Sequence, residues 1–180
     1  MLFRSIAAMN AVSAAPLFSG KYQVLAKADP LDLLELGPGK RAVIVGAFQS
    51  YVKRVAASGA SLQVLEMKEA ALQPAHRQYF VPAEEFPQVL PQADALIITG
   101  LTLANDTLDD LLAAASPSAD ILVTGPTSSF LPDVLFEKNV KYVGGIRITD
   151  PALAFDVAGE GGGGFHLFNY CAEKVCVVRG

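Results

Sequence analysis

The sequence predicts an α/β fold: a doubly wound, mostly parallel sheet of about five to six strands, order 2-1-3-4-5, with helices on both faces. Three observations carry that prediction. Three apolar runs of strand length stop on a glycine, at Val43-Ile44-Val45-Gly46, Leu96-Ile97-Ile98-Thr99-Gly100 and Ile121-Leu122-Val123-Thr124-Gly125. Strand-like and helix-like stretches alternate from Arg41 onward, the pattern of parallel strands joined by right-handed crossovers. The runs are continuously apolar, as strands covered on both faces are.

Each element follows from local signals. Residues 2–15 read as an amphipathic helix, with Pro16 to Gly20 as its exit. Asp29-Pro30 sets an N-cap before a proline at the first helical position, so Leu31 to Leu36 form a short helix ended by Gly37-Pro38-Gly39. Arg41 to Gly46 is the first strand. Gln49 to Ala57 follows as a helix with Val52, Val55 and Ala56 on one face, closed by Gly59, and Ser61 to Glu66 is the second strand. Pro74, Pro82, Pro87 and Pro91 make 74–92 a long connection with at most a short helix near Ala83 to Phe86. Its length lets the chain cross to the other side of the first strand. The third strand is Ala95 to Thr99, its helix Leu108 to Ala115, the fourth strand Ile121 to Thr124, then a helix from Pro132 to Glu137 and a fifth strand, Val140 to Val143. Past Gly144-Gly145, Ile146 to Thr149 is a further extended piece and Pro151 to Ala158 a helix. The run Gly159-Glu160-Gly161-Gly162-Gly163-Gly164 reads as a mobile loop, and Lys174 to Val178 as a last strand at an edge of the sheet.

Composition narrows the function classes. The 180 residues are 52% hydrophobic with a mean hydropathy of +0.36, yet no apolar stretch reaches the roughly 20 residues of a membrane helix. Strands buried on both faces account for part of the excess, and a subunit interface for the rest, so a homo-oligomer is expected. A net charge of -4, with no basic cluster longer than Lys53-Arg54, excludes a nucleic-acid footprint. The start, Met1-Leu2-Phe3-Arg4 followed by small residues, faintly resembles a signal peptide, but Asn10 and Ser13 interrupt it and a domain helix is the reading preferred. Two cysteines, Cys171 and Cys176, form no disulfide framework and suit a cytoplasmic protein.

The glycine-ended strands locate a site, because open α/β sheets bind ligands at the carboxyl ends of their strands. After the third strand, Asn105, Asp106 and Thr107 lie where the free amides of a helix start point at that edge. Thr107 and Asp110 have capping-box spacing, which leaves Asn105 as the residue without a capping duty. The turn Gly125-Pro126-Thr127-Ser128-Ser129 stacks three hydroxyls behind a glycine and suits a phosphate or carboxylate. It has no P-loop lysine, so triphosphate hydrolysis is not supported. Its other reading is a capped turn into the helix at Pro132. The candidate ligand set is therefore Gly46, Phe48, Thr99, Gly100, Asn105, Thr107, Gly125, Pro126, Thr127 and Ser128. Glu66 ends the second strand 20 positions after Gly46, the offset at which dinucleotide-binding folds place an acid against a ribose. That makes Glu66 a candidate for a nucleoside cofactor such as S-adenosylmethionine or NAD, although Gly46-Ala47-Phe48-Gln49-Ser50 lacks the later glycines of the fingerprint. His166, Cys171 and Cys176 fall five apart, which puts successive members on different faces of a helix or strand. This is not zinc-ligand spacing. Asp150, Asp156 or Glu160 could serve a hard ion or simply cap and solvate a helix start. No cysteine or serine occupies a nucleophile-elbow pattern.

With those residues in place, Val43 to Pro151 resembles the heavy-metal chelation family, long catalogued as a domain of unknown function. The matching stretches are Val45-Gly46-Ala47-Phe48, the run from Asp94 to Leu112, Thr124-Gly125-Pro126-Thr127 and Val143-Gly144-Gly145-Ile146-Arg147-Ile148-Thr149-Asp150-Pro151. The resemblance implies a Rossmann-like C-terminal domain over 39–180 and a metal or metal-cofactor role at a cleft between domains. It also implies that 1–38 is the helical remnant of an enolase-like N-terminal domain, with Ile6-Ala7-Ala8-Met9-Asn10-Ala11 as its closing helix. The expected function is binding of a small anionic ligand, a heavy metal or a metal-containing ligand at the sheet edge. The alternatives are a nucleoside-cofactor enzyme and a non-catalytic partner subunit that completes another chain's cleft.

Overall fold

The structure, a computed structural model, describes residues 3–180. Met1 and Leu2, where the signal-like start and the expected first helix begin, lie outside the described residues. Eight strands form one sheet: β1 (Gln23–Ala26), β2 (Arg41–Val45), β3 (Ser61–Glu66), β4 (Phe80–Pro82), β5 (Ala95–Thr99), β6 (Asp120–Thr124), β7 (Val140–Ile148) and β8 (Ala172–Val178). Their order is β1-β8-β7-β6-β5-β2-β3-β4. Strands β2 to β7 run parallel, and β8 lies antiparallel between β7 and β1.

The five strands expected from the apolar runs take the expected relative order, and the α/β class holds. Three differences have physical causes. Strands β1 and β4 are four and three residues long, too short to show a run or an alternation. The C-terminal strand is not at the edge, because β1 pairs outside it, Gln23 against Val178 through Ala26 against Val175. Val140–Ile148 is one strand rather than two, since β8 pairs with it from Tyr142 to Ile148, across Gly144 and Gly145.

The helices are α1 (Phe3–Leu17), α2 (Gln49–Ala57), α3 (Phe86–Val89), α4 (Leu108–Ala114), α5 (Asp133–Glu137), α6 (Pro151–Gly159) and α7 (Gly164–Tyr170). Helix α7 occupies residues with no helix signal; Gly159 closes α6, Gly164 opens α7, and the glycine run is the turn between them. The side-chain period of two divides the core. Val43, Val45, Leu96, Ile98, Ile121 and Val123 face one side, packed with Leu17, Leu90, Leu111 and Leu135 from α1 and the α3–α5 region. Ala42, Ile44, Ala95, Ile97 and Leu122 face the other, under Val52 and Val55 of α2 and Leu31 of the turn Pro30–Leu33. The segment 1–38 supplies α1, β1 and that turn, whose N-cap is Asp29 as expected. No helix among the described residues is long and apolar enough to cross a membrane.

Candidate functional site

The chain reverses its direction of travel across the sheet between β2 and β5: from β2 it proceeds outward through β3 and β4, and from β5 in the opposite sense through β6 and β7. Crevices outside the carboxyl ends of strands at such a switch point are where open α/β sheets bind ligands. At this point Gly46 and Thr99 end the two neighbouring strands and pack together: a Cβ on Gly46 would stand 3.0 Å from Thr99 Cγ2. Gly46 has φ +102°, a conformation that side chains strongly disfavour. It lets the chain turn at once into α2, with the Phe48 N–H donating to the Gly46 carbonyl at 2.9 Å. Phe48 is the N-cap residue and caps nothing with its side chain. Among the described residues no side chain accepts from the first-turn amides of α2, which carry the positive end of the helix dipole at this edge. The Phe48 ring stacks on Tyr51, centroids 5.5 Å apart.

The other candidates separate into two groups. Gly100 is buried under the next loop: a Cβ there would meet Thr127 Oγ1 at 2.4 Å and the Ser128 nitrogen at 3.1 Å. Gly125, at φ +132°, lies against the Gly100 nitrogen. The Ser128 hydroxyl is fully buried, 2.7 Å from the Gly144 carbonyl and 2.8 Å from the Gly125 carbonyl, so its one proton ties the loop to β7. Ser129 Oγ accepts from the Ile146 N–H at 2.9 Å. Of the three hydroxyls behind Gly125, Thr127 is the one with no hydrogen-bond partner among the described residues. Pro126 presents its carbonyl to the Asn10 amide of α1 at 2.9 Å, and the other end of that amide, Asn10 Oδ1, is buried without a partner among the described residues. Gly46, Thr99, Gly100, Gly125, Thr127 and Ser128 therefore make one continuous row. Asn105 and Thr107 are exposed and bond each other, Thr107 Oγ1 donating to Asn105 Oδ1 at 2.7 Å, and Thr107 does not cap α4 with its side chain. Glu66 ends β3 beside Gly46 and accepts from the Met67 N–H at 2.7 Å.

One cluster near this edge escaped the sequence. Asp29 accepts from Tyr51 Oη at 2.8 Å, from Lys174 Nζ at 2.8 Å and from the Leu31 N–H at 3.2 Å, and pairs with Arg54 at 3.2 Å. Burial works to raise its carboxyl, and the bonds from Lys174, Tyr51 and Leu31 outweigh it and hold the group below the ordinary value of 3.8. Burial, then the bond to Asp29, push the Tyr51 phenol up. Lys174 lies 145 positions from Asp29, and no local signal links them.

The donors do not suit a bare soft metal ion. Among the described residues there is no group of three or more His, Cys, Asp or Glu placed to hold one. Cys171 and Cys176 are buried and free, and burial pushes the Cys176 thiol up to about 12, away from the thiolate that metals bind. His166 Nδ1 accepts from the Gly163 N–H at 3.2 Å, and His76 Nδ1 lies 3.3 Å from Gln49 Oε1. Amides, hydroxyls and an aromatic face remain at the edge, and these recognise anions and flat groups.

Comparison with known proteins agrees with the architecture. A protein of unknown function from the DUF364 family of Pyrococcus horikoshii superposes with a TM-score of 0.81 at 23% identity, covering 97% of this chain and 67% of that one. A second protein of that family, from Desulfitobacterium hafniense, gives 0.75 at 24% identity, covering 97% and 66%. An uncharacterized protein of Methanocaldococcus jannaschii is 35% identical over 63 residues, 35% of this chain; the chain thus spans about a quarter of that curated relative, where the match covers 24%. Residues 29–177 match the DUF364 family, described as "Putative heavy-metal chelation", and the chain belongs to that family.

Proposed function

We propose that this chain binds a small anionic ligand at the switch-point crevice, and that where a heavy metal is involved it arrives as part of that ligand, a metal chelate. The observation that carries this reading is the meeting of Gly46, Thr99 and the α2 N-terminus at one crevice. Anions are stabilised at helix N-termini by free amides and the dipole, whereas a bare soft ion has no ligand cluster among the described residues. Phe48 supplies an apolar face to the bound group, Thr127 and Asn105 supply polar contacts at the rim, and two buried free cysteines suit a reducing cytoplasm. Calorimetric titration with Ni²⁺ alone, citrate alone and the Ni²⁺–citrate chelate tests it. Binding of citrate or the chelate, weakened about 2–10-fold per lost hydrogen bond in Thr127→Ala and Asn105→Ala, supports the reading. Binding of Ni²⁺ alone, or affinity unchanged in both variants, overturns it.

A second reading is a nucleoside cofactor, favoured by Glu66 at the end of the strand that neighbours Gly46. S-adenosylmethionine or NAD at about 100 times Kd would add roughly 2.7 kcal/mol of stability, and a thermal-shift screen without a response removes this alternative.

A further inference from the structure

The geometry points to the α6–α7 hairpin as the face on which a second copy of this chain docks. Neither helix buries a single residue in the protein's own core. Among the described residues, Ile148, Leu153, Phe155, Phe165, Phe168 and Tyr170 are exposed large apolar side chains within this one stretch, Phe155 at 84%, Phe165 at 76% and Tyr170 at 64%. Taking about 200 Å² for a fully exposed large side chain, these six present on the order of 700 Å² together. This total is comparable to the ~800 Å² that each partner buries in a stable interface.

Three features favour a second copy over other occupants. A two-fold contact brings each residue near its own image, which like charges oppose; between Pro151 and Tyr170 the only ionisable side chains are Asp156, Glu160, His166 and Tyr170. The hairpin also carries both a hollow and a protruding ring. An apolar groove lined by Ile148, Pro151, Ala154, Phe155, Ala158 and Gly159 lies on the same hairpin as the protruding Phe165, so each copy offers both knob and groove. A membrane surface fits poorly, since α6 and α7 carry no lysine or arginine to meet anionic headgroups. Strand β7 extends four residues past its last pair with β6, to Ile148, and so carries the hairpin beyond the edge of the parallel strands.

Sedimentation equilibrium of the full chain, a 19.0 kDa protomer, tests this together with Phe155→Asp/Phe165→Asp. The wild type should be a dimer at micromolar concentration, and the double variant should dissociate with a constant raised on the order of 100-fold or more. Both side chains lie outside the core, so circular dichroism should show an unchanged fold. In a second arm, Phe165→Ala alone should weaken the dimer in the same direction. A monomeric wild type, a dimer indifferent to these substitutions, or a monomer that sediments with phosphatidylglycerol vesicles through this face would each overturn the inference.

Discussion

A methyl group added at Gly100 probes the packing that closes the loops after β5 and β6. Built on the present backbone, it would lie 2.4 Å from Thr127 Oγ1, 3.1 Å from the Ser128 nitrogen and 3.3 Å from Ser128 Cβ. Ordinary non-bonded contacts between carbons are about 3.5–4.0 Å, so the loops must part or Thr127 must turn away. Ser128 yields little, because its hydroxyl is tied to the carbonyls of Gly125 and Gly144. Overpacking of this kind costs about 1–3 kcal/mol. Gly100→Ala should therefore lower stability by about 2 kcal/mol, or Tm by roughly 4–8 °C for a chain of this size. Thr127→Ala removes the nearest atom and should itself cost under about 0.5 kcal/mol, because it breaks no hydrogen bond among the described residues. In the double variant the Gly100→Ala cost should fall by about 1 kcal/mol, the residue being the Ser128 contact. Urea unfolding of the four proteins, followed by circular dichroism, gives the coupling directly. Additivity within about 0.5 kcal/mol, or a Gly100→Ala protein as stable as wild type, would refute the packing argument.

Two further outcomes follow from the buried polar groups. Asp29 has its folded value held below 3.8, so the stability it contributes is present above the unfolded pKa and is lost as pH falls through the folded one. Asp29→Asn should be less stable than wild type at pH 7, with the gap closing below about pH 4; a gap constant from pH 7 to 2 would contradict the assignment. Cys171 and Cys176 are both buried, so native protein should react with Ellman's reagent far more slowly than a free thiol, with both cysteines reacting on unfolding. Fast modification of the native chain would show that one of them is accessible.

The sheet was legible in the sequence to the extent that its strands are covered on both faces. Val43-Ile44-Val45, Leu96-Ile97-Ile98 and Ile121-Leu122-Val123 feed both halves of the core, and that double burial produces the unbroken apolar runs. Strand β1 lies at the open edge with a half-exposed pattern, and β4 is a three-residue piece ending on Pro82; neither leaves such a trace. Helix α7 buries nothing, so no apolar periodicity had reason to appear in it. At the site, positive φ at Gly46 and Gly125 follows from glycine ending a strand at a turn. The Asp29 cluster depends on Lys174 arriving from β8, a contact set by topology and invisible to spacing.

The three glycine-ended strands are alike in sequence and different in what the missing side chain permits. At Gly100 it admits Thr127 and Ser128, so that position is occupied by the protein's own packing, whereas at Gly125 a Cβ would make only ordinary contact, 3.8 Å from the Gly100 nitrogen, and it is the φ of +132° that calls for glycine. At Gly46 the close neighbour is the Thr99 side chain, and the chain turns directly into a nine-residue helix without a side-chain cap. A ligand gains most where amides still need acceptors, because satisfying them adds bonds without breaking any. On that ground we propose that the Gly46 end, where β2 turns into α2 beside the end of β3 at Glu66, carries the main ligand contacts. Of the hydroxyls after Gly125, Ser128 and Ser129 serve the joint to β7, whereas Thr127 Oγ1 rests on Gly100 with no hydrogen-bond partner among the described residues and so keeps its proton for a bound group.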